Sequence, residues 1–261
     1  METGTGTRPR EITITPLGEN IYGIEAPCEP GVEVRAMLVC GDNYSLLLDT
    51  LLRPADLDAV RPLVESRNRP LLIVNSHADW DHWWGNAAFP DAPVIAHRLT
   101  RERQLREGRR SLAAQRRKDP ETFADVVLRP ATIAFDGRLE LELGGLRVEL
   151  LPVPGHTADC IVALLPDRRL LFAGDAAENP IPLLNDGVIG DWPDRLAGLA
   201  ERVSAVVPAH GAVAGPDLLS RNARYLRDLT ERPQTPVPEL AGATAFYRRA
   251  HRRNLRAAAR S

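Results

Sequence analysis

The stretch Leu71–Asn86, reading L-L-I-V-N-S-H-A-D-W-D-H-W-W-G-N, constrains this chain more than any other. Its first part, Leu71 to Val74, is a short apolar run of the kind that suits a fully buried strand. Directly behind it come His77, Asp79, Asp81 and His82, four metal-capable side chains within six residues. A rigid strand end fixes where the side chains of the following loop point, which makes such a loop a good platform for ligands. Imidazole and carboxylate together suit a divalent first-row metal, whether zinc, iron or manganese. Standing alone, the same residues also read as a solvated polar turn with two incidental histidines.

They do not stand alone. Pro152-Val153-Pro154-Gly155-His156-Thr157 places a histidine in a Pro/Gly-shaped loop directly after a strand. Leu171-Phe172-Ala173-Gly174-Asp175 places a carboxylate at the end of an apolar strand, and Val206-Val207-Pro208-Ala209-His210-Gly211 does the same with another histidine. Polar groups at strand ends gain nothing for a core, so packing does not explain them.

The surroundings of these turns read as alternating strand clusters and helices. Hairpins are expected at Ile12–Thr15 with Asn20–Glu25, and at Val34–Cys40 with Ser45–Asp49. Two more are expected at Leu139–Leu143 with Arg147–Leu151 around Gly144-Gly145, and at Ile161–Leu165 with Leu170–Ala173. A helix starting near Pro54 carries Leu57, Val60, Leu63 and Val64 on one face, and short strands are expected at Val94–Ala96 and Ala205–Val207. Helices follow at Pro193–Val203 and from Pro216 to about Glu231. The order of strands and helices thus recurs, which points to two related halves packed together. Leu99 to Lys118 is dense in arginine, with Leu99, Leu105 and Leu112 as its main apolar positions and Gly108 as a weak point. It reads as one or two surface helices with a solvated face, placed where a lid would sit. The end of the chain, 243–261, holds six arginines from Arg248 to Arg260 and reads as a basic, solvated tail following a domain that spans 1–242.

With 261 residues, 44% apolar and 26% charged, the chain can bury one large core, and its formal net charge of −2 gives no reason to expect nucleic acid as a partner. No apolar run approaches the length of a membrane span, and Met1–Arg10 lacks the apolar centre of a signal peptide. Cys28, Cys40 and Cys160 show no paired spacing, so a reducing, cytoplasmic setting is expected.

The residues resemble the metallo-β-lactamase superfamily. Its hallmark is a His-x-His-x-Asp-His loop after a buried strand, then Gly-His, a strand-end Asp and a late His. This chain has His77-Ala78-Asp79-Trp80-Asp81-His82, Gly155-His156-Thr157, Gly174-Asp175 and Ala209-His210-Gly211, in that order. Leu47-Leu48-Asp49-Thr50 looks like the family's strand-end Asp ahead of the first helix. The resemblance covers roughly Ile12 to Glu231 and implies a four-layer αββα sandwich, two mixed sheets with helices on the outer faces, and a metal site along the edge between the sheets. Position by position, it implies one site of His77, Asp79 and His156, a second of Asp81, His82 and His210, and Asp175 bridging two divalent ions. Zinc is the first choice, with iron or manganese behind it. Asp81 would also orient the nucleophile, a metal-bridging hydroxide, and Asp49 would fix the tautomer of a ligand histidine.

One position departs from the pattern: the loop's second His is Asp79 here. A third carboxylate adds hard-oxygen character and shifts preference toward iron or manganese. Alternatively Asp79 is too short to reach, leaving the first site weak or empty. Trp83 and Trp84 are expected to split, one into the core and one lining the pocket, and the loop Asn179–Trp192 is expected to meet substrate. His97 reads as structural, His251 as solvated and Cys160 as a packed strand cysteine.

The resemblance implies a hydrolase acting on a small-molecule ester, thioester, lactone or related acyl compound. β-Lactam cleavage fits less well, and no basic cluster marks glutathione thioesters. A di-iron redox or oxygen-handling protein, motivated by Asp79, and a non-catalytic metal- or partner-binding module are the alternatives.

Overall fold

A computed structural model of the chain describes residues 11–186 and 188–260, so the reading of Met1–Arg10 lies outside the described residues. The strands are β1 (Thr13–Gly18), β2 (Ile21–Glu29), β3 (Val32–Cys40), β4 (Ser45–Leu48), β5 (Leu71–Asn75), β6 (Val94–His97), β7 (Ile133–Phe135), β8 (Leu139–Glu142), β9 (Arg147–Pro152), β10 (Ile161–Leu165), β11 (Leu170–Gly174) and β12 (Ala205–Pro208). The helices are α1 (Arg61–Ser66), α2 (Trp80–Trp83), α3 (Arg98–Lys118), α4 (Trp192–Ala200), α5 (Asp217–Glu231) and α6 (Ala245–Ala258). Strands β1 to β7 form one sheet in chain order, antiparallel up to β4 and parallel beyond it. The other sheet has the order β12-β11-β10-β9-β8, with only β11 and β12 parallel. All four expected hairpins form.

The two-residue period of the strands sorts their side chains into layers. Met37, Val39, Leu46, Leu48, Val74 and Ile95 point toward the second sheet and meet Val148, Leu150, Ile161, Ala163 and Phe172. Their neighbours Leu38, Leu47, Ile73, Val94 and Ala96 point the other way, against Leu57, Val60, Trp83, Trp84 and Phe123. On the far side, Val162, Leu164, Leu171 and Val206 pack against α4, α5 and α6. Helices therefore cover both outer faces and the central strands are buried on both sides, which is the αββα sandwich that the resemblance implies.

Three local expectations change. The helix expected from Pro54 divides into a 3-10 turn, Pro54–Leu57, and the short α1. The arginine-rich stretch is one helix, α3, and it turns Thr100, Gln104, Gly108 and Leu112 inward at a spacing of four while Leu105 is exposed. That seam is polar and small, so hydrophobic periodicity misplaces it. Gly108 is a contact point, not a weak one, because a Cβ there would lie 2.9 Å from the Trp83 ring. Finally, the basic end is not a frayed, solvated terminus. In α6, Tyr247, Ala250, Asn254, Ala257 and Ala258 are buried against the second-half core, and the arginines occupy the opposite face. The buried stripe is mostly alanine, which six arginines mask in a composition-based reading. Among the described residues, no helix is long and apolar enough to cross a membrane.

Candidate metal centre

Both sheets deliver their polar strand ends to one edge of the sandwich. Strand β5 ends at Asn75, and the turn behind it buries His77 completely. Asp79 stands just before α2, whose single turn points Asp81 and His82 inward and leaves Trp83 to the core. His156 follows β9, Asp175 follows β11, and His210 follows β12. The structure thus brings together all seven residues expected to face a metal.

Their geometry divides around Asp175. Its Oδ2 lies 3.7 Å from His77 Nε2 and 3.5 Å from His156 Nε2. Its Oδ1 lies 3.4 Å from His82 Nε2 and 3.5 Å from His210 Nε2. Asp79 Oδ2 completes the first side, 3.1 Å from His156 Nε2 and 3.7 Å from His77 Nε2, so its shorter side chain does reach the cluster. Asp81 completes the second, with Oδ1 3.7 Å from His82 Nε2 and Oδ2 3.4 Å from His210 Nε2.

The donor set fits divalent cations. His77 Nε2, His82 Nε2 and Asp175 Oδ1 are buried without a hydrogen-bond partner, although acceptors and ring nitrogens face one another closely. The trio His77, Asp79 and His156 and the trio Asp81, His82 and His210 each converge their donor atoms to within 4.8 Å. The far side of each ring explains why Nε2 is the nitrogen offered. His82 Nδ1 donates to Asp49 Oδ2 at 2.8 Å, His156 Nδ1 to the Leu183 carbonyl at 2.9 Å, and His210 Nδ1 to the Glu33 carbonyl at 2.7 Å. Ser76 gives its hydroxyl proton to Asp49, so its oxygen accepts from His77 Nδ1 at 3.0 Å. Acceptors behind all four Nδ1 atoms leave each neutral ring with a bare Nε2 toward the centre. Asp49, at φ 63° in the left-handed region, is thereby the group that orients His82, as expected from its place in the chain.

Without cations the cluster holds protons instead. Burial alone would raise Asp79, but its hydrogen bond to His156 and the nearby His77 ring hold the carboxyl well below its ordinary value. Burial opposes charge on His156 as well, yet Asp79 and Asp175 push it up to about 9. His82 and His210 are raised well above the usual imidazole value against the same burial, mainly by Asp175 and Asp81. A cation arriving at such a site must displace those protons.

The mouth of the cluster is a cavity of about 120 Å³, walled by Val32, Trp80, Leu183 and Phe246 on its apolar sides and by Cys28, Glu178 and Asn185 on its polar ones. Larger clefts beside Phe89, about 410 Å³, and beside Val237, about 420 Å³, contain neither histidine nor cysteine. The expected pocket aromatics are placed differently. Trp83 and Trp84 are both buried in the first-half core, and Trp80 takes the pocket position, its ring 5.6 Å from Phe123. Residues 80, 83 and 84 share one face of this short helix, and Trp80, its ring 5.7 Å from that of Trp84, is the half-buried member that borders the cavity. Trp192 is buried beneath Gly155, its Nε1 donating to the Ala176 carbonyl at 2.8 Å. Asn179 braces the His210 turn, donating to the carbonyls of His210 and Ala212. The loop between them does meet the cavity, but through Leu183 and Asn185.

Four site residues were not anticipated. Glu178 is buried, takes the Leu183 amide on Oε1 and is raised by burial, and then by Asp175, to about 8. The Cys28 thiol donates to Asp81 Oδ2 at 3.4 Å. Phe246 comes from α6, the segment read as a solvated tail. Arg103, from the arginine-rich helix, donates Nη2 to Asp79 Oδ1. Glu178, three residues past Asp175 in a strand-end turn, was the one with a usable signal. The other three depend on contacts far apart in sequence. His97 caps α3 by accepting from the Leu99 amide at 3.3 Å, Cys160 is buried, and His251 is half-buried with Nδ1 3.0 Å from the Tyr225 hydroxyl instead of solvated.

The sequence profile described as the metallo-beta-lactamase superfamily matches residues 30–210. The chain belongs to that superfamily. It is similar to the acyl-coenzyme A thioesterase MBLAC2 of Homo sapiens, 27% identical over 251 residues that cover 79% of this chain and 84% of the relative. Gallus gallus MBLAC2, with the same acyl-coenzyme A thioesterase name, is 28% identical across 80% of this chain and 83% of its own. Among solved structures, a metallo-beta-lactamase from Pontibacter korlensis superposes with a TM-score of 0.65 at 20% identity, covering 84% of this chain and 100% of that one. That likeness concerns the fold. As a superfamily member with these relatives, the protein is a hydrolase, and its His/Asp groups are arranged to bind metal.

Proposed function

We propose that the protein hydrolyses thioesters of the acyl-coenzyme A class, using two divalent cations held by the seven residues around Asp175. The observation that carries this reading is the division of the cluster, with each oxygen of Asp175 facing a separate histidine pair. His77, Asp79 and His156 would hold one ion, Asp81, His82 and His210 the other, with zinc the first choice. Cations bound there supply Lewis acidity, which acidifies water and polarises the carbonyl under attack. The chain's own residues do the rest. Asp81 closes its donor set and orients the attacking water. Asp49 and the carbonyls of Leu183 and Glu33 keep the rings from turning. Trp80, Leu183 and Phe246 give an acyl chain an apolar wall and limit access of bulk water.

The choice of thioester is supported by the MBLAC2 relatives and by α6. Phe246 places the start of that helix at the cavity, and Arg249 and Arg253 follow three and seven residues later on the same side of the helix. Both are exposed, and neither has a carboxylate partner among the described residues, which leaves them open to the phosphates of a nucleotide carrier. Small-molecule substrate and a reducing, cytoplasmic setting complete the reading, the latter supported by cysteines that form no disulfide among the described residues.

The test is a comparison of zinc-loaded protein on acyl-coenzyme A, the same acyl group on N-acetylcysteamine, a p-nitrophenyl ester and a lactone. Turnover of acyl-coenzyme A at a kcat/KM at least about tenfold above the truncated thioester is expected, since remote binding energy is spent at the reacting centre. Turnover of the ester or lactone with none on either thioester contradicts the assignment.

A further inference from the structure

Position 79 is where this chain departs from its superfamily's loop, and the structure shows what stands against the departure. Arg103 projects from α3 and places one guanidinium nitrogen, Nη2, on Asp79 Oδ1 and another, Nη1, 3.0 Å from Asp159 Oδ1. Asp159 in turn accepts the Ala78 amide on Oδ2 at 2.8 Å. One planar fork thus joins α3, the loop carrying His77 to His82, and the loop carrying His156. The Arg103 side chain is only 21% exposed, so these contacts lie partly out of solvent and are little screened. Asp79 Oδ1 is occupied by the guanidinium, and Oδ2 alone faces His77 and His156.

We infer that Arg103 is the positioning residue that lets Asp79 take a histidine's place at the first metal site. The inference rests on the two-cation reading above. Its logic is charge and shape together. Asp79 adds one negative charge to a donor set that already holds Asp81 and Asp175, and Arg103, which also pairs with Asp159 and with Glu107 Oε2 at 3.2 Å, offsets part of it in direct contact. The contact leaves Asp79 one free oxygen of reduced negative charge for the site, as a neutral imidazole offers one nitrogen. The hard, anionic character that would favour iron or manganese is therefore offset in part, and zinc remains the expected metal. Lysine, a point charge without a fork, does not bridge two carboxylates in this way.

A double-substitution cycle tests this through metal content, with no reference to turnover. Zinc per chain is measured after gel filtration in wild type, Asp79→His, Arg103→Met and the double variant, with far-ultraviolet circular dichroism as the check on folding. Asp79→His alone should lose one of the two ions, because Arg103 then faces an imidazole and a dication with no carboxylate between. Adding Arg103→Met should restore the second ion. Arg103→Met alone should keep both sites but shift manganese-against-zinc competition at least about tenfold toward manganese, as the uncompensated carboxylate hardens the site. Two zinc ions retained by Asp79→His, or a loss that Arg103→Met does not repair, overturns the inference, as does unchanged selectivity in Arg103→Met. A wild type that never binds two ions instead removes the two-cation reading itself.

Discussion

The two sides of the cluster are built differently. The group Asp81, His82 and His210 is backed from within the sandwich: Asp49 at the end of β4 holds His82 while accepting the Ser76 amide and hydroxyl at 2.7 Å each, and the Glu33 carbonyl of β3 holds His210. In the group His77, Asp79 and His156, only His77 is held from within, by the Ser76 hydroxyl, and the other two lean on the periphery. His156 is held by the Leu183 carbonyl on a loop, and Asp79 by Arg103 of α3 and by exposed Asn185 at 3.1 Å. The lesson is that one half of the site inherits its geometry from the sheets and the other largely from surface elements. The first half should tolerate changes to loops and helices, and the second should not.

The largest effect should come from breaking the sheet-backed half. His82→Ala or His210→Ala should lower turnover by well over about 100-fold, beyond the range typical of groups that merely support a ligand, and should remove one ion per chain. The fold should persist, since His82 in α2 and His210 behind β12 both belong to the polar cluster and to none of the apolar cores. Steady-state kinetics and metal analysis check both statements, and turnover above about a tenth of wild type would show that the site is misassigned.

Asp49→Asn sharpens the same comparison. Losing the charged acceptor behind His82 should weaken that zinc site by about 10–100-fold and the other site less, since Asp49 reaches His77 only through the Ser76 hydroxyl. Chelator competition resolving two zinc dissociation constants measures this. Equal weakening of both sites would mean that the halves are not supported independently.

Zinc binding should depend on pH on both sides of the cluster, since His82 and His210 are raised as well as His156, and on the peripheral side the turning point is that of His156. His156 stands at about 9 in the cation-free protein, so below that pH a proton competes for its Nε2. Affinity should therefore rise as pH rises from 6 toward 9, by about tenfold per unit for each proton displaced, and level off above it. Titration of zinc affinity against pH reads the slope, and a flat profile contradicts the protonated cluster.

A smaller effect is expected at Asn254, which ties α6 to the loop behind His156. It accepts the Leu184 amide at 2.9 Å and donates to the Pro182 carbonyl at 2.7 Å, both buried. Asn254→Ala should cost about 1–3 kcal/mol for each group left unsatisfied, seen as a lower melting temperature. It should also weaken the peripheral zinc site more than the sheet-backed one. Removing 243–261 should do the same and more, because it also strips Tyr247 and Ala250 from the core and Phe246 from the cavity.

What the amino-acid sequence reveals follows the same division. The strands, their layers and the seven polar residues behind four strand ends are legible because each depends on a local pattern: a two-residue period, a turn, a side chain directly behind an apolar run. Asp49 is legible for the same reason. Arg103, Phe246 and Asn254 are not, because each lies in a helix whose exposed arginines dominate its composition and whose inward stripe is small or polar. Trp80 and not Trp83 or Trp84 borders the cavity because all three rings share one face of the short helix and only that of Trp80 stays half-buried. The site's scaffold is written in hydrophobic periodicity, and its supports are written in long-range pairs that periodicity does not contain.

The central claim is that Asp175 stands between two cation sites, one on each side. Zinc titration of the metal-free protein, followed calorimetrically and confirmed by elemental analysis after gel filtration, tests it most directly. Saturation at two ions per chain, falling to one in His210→Ala, is the predicted result. Saturation of the wild type at a single ion would contradict it and leave Asp81, His82 and His210 as the only metal-binding group.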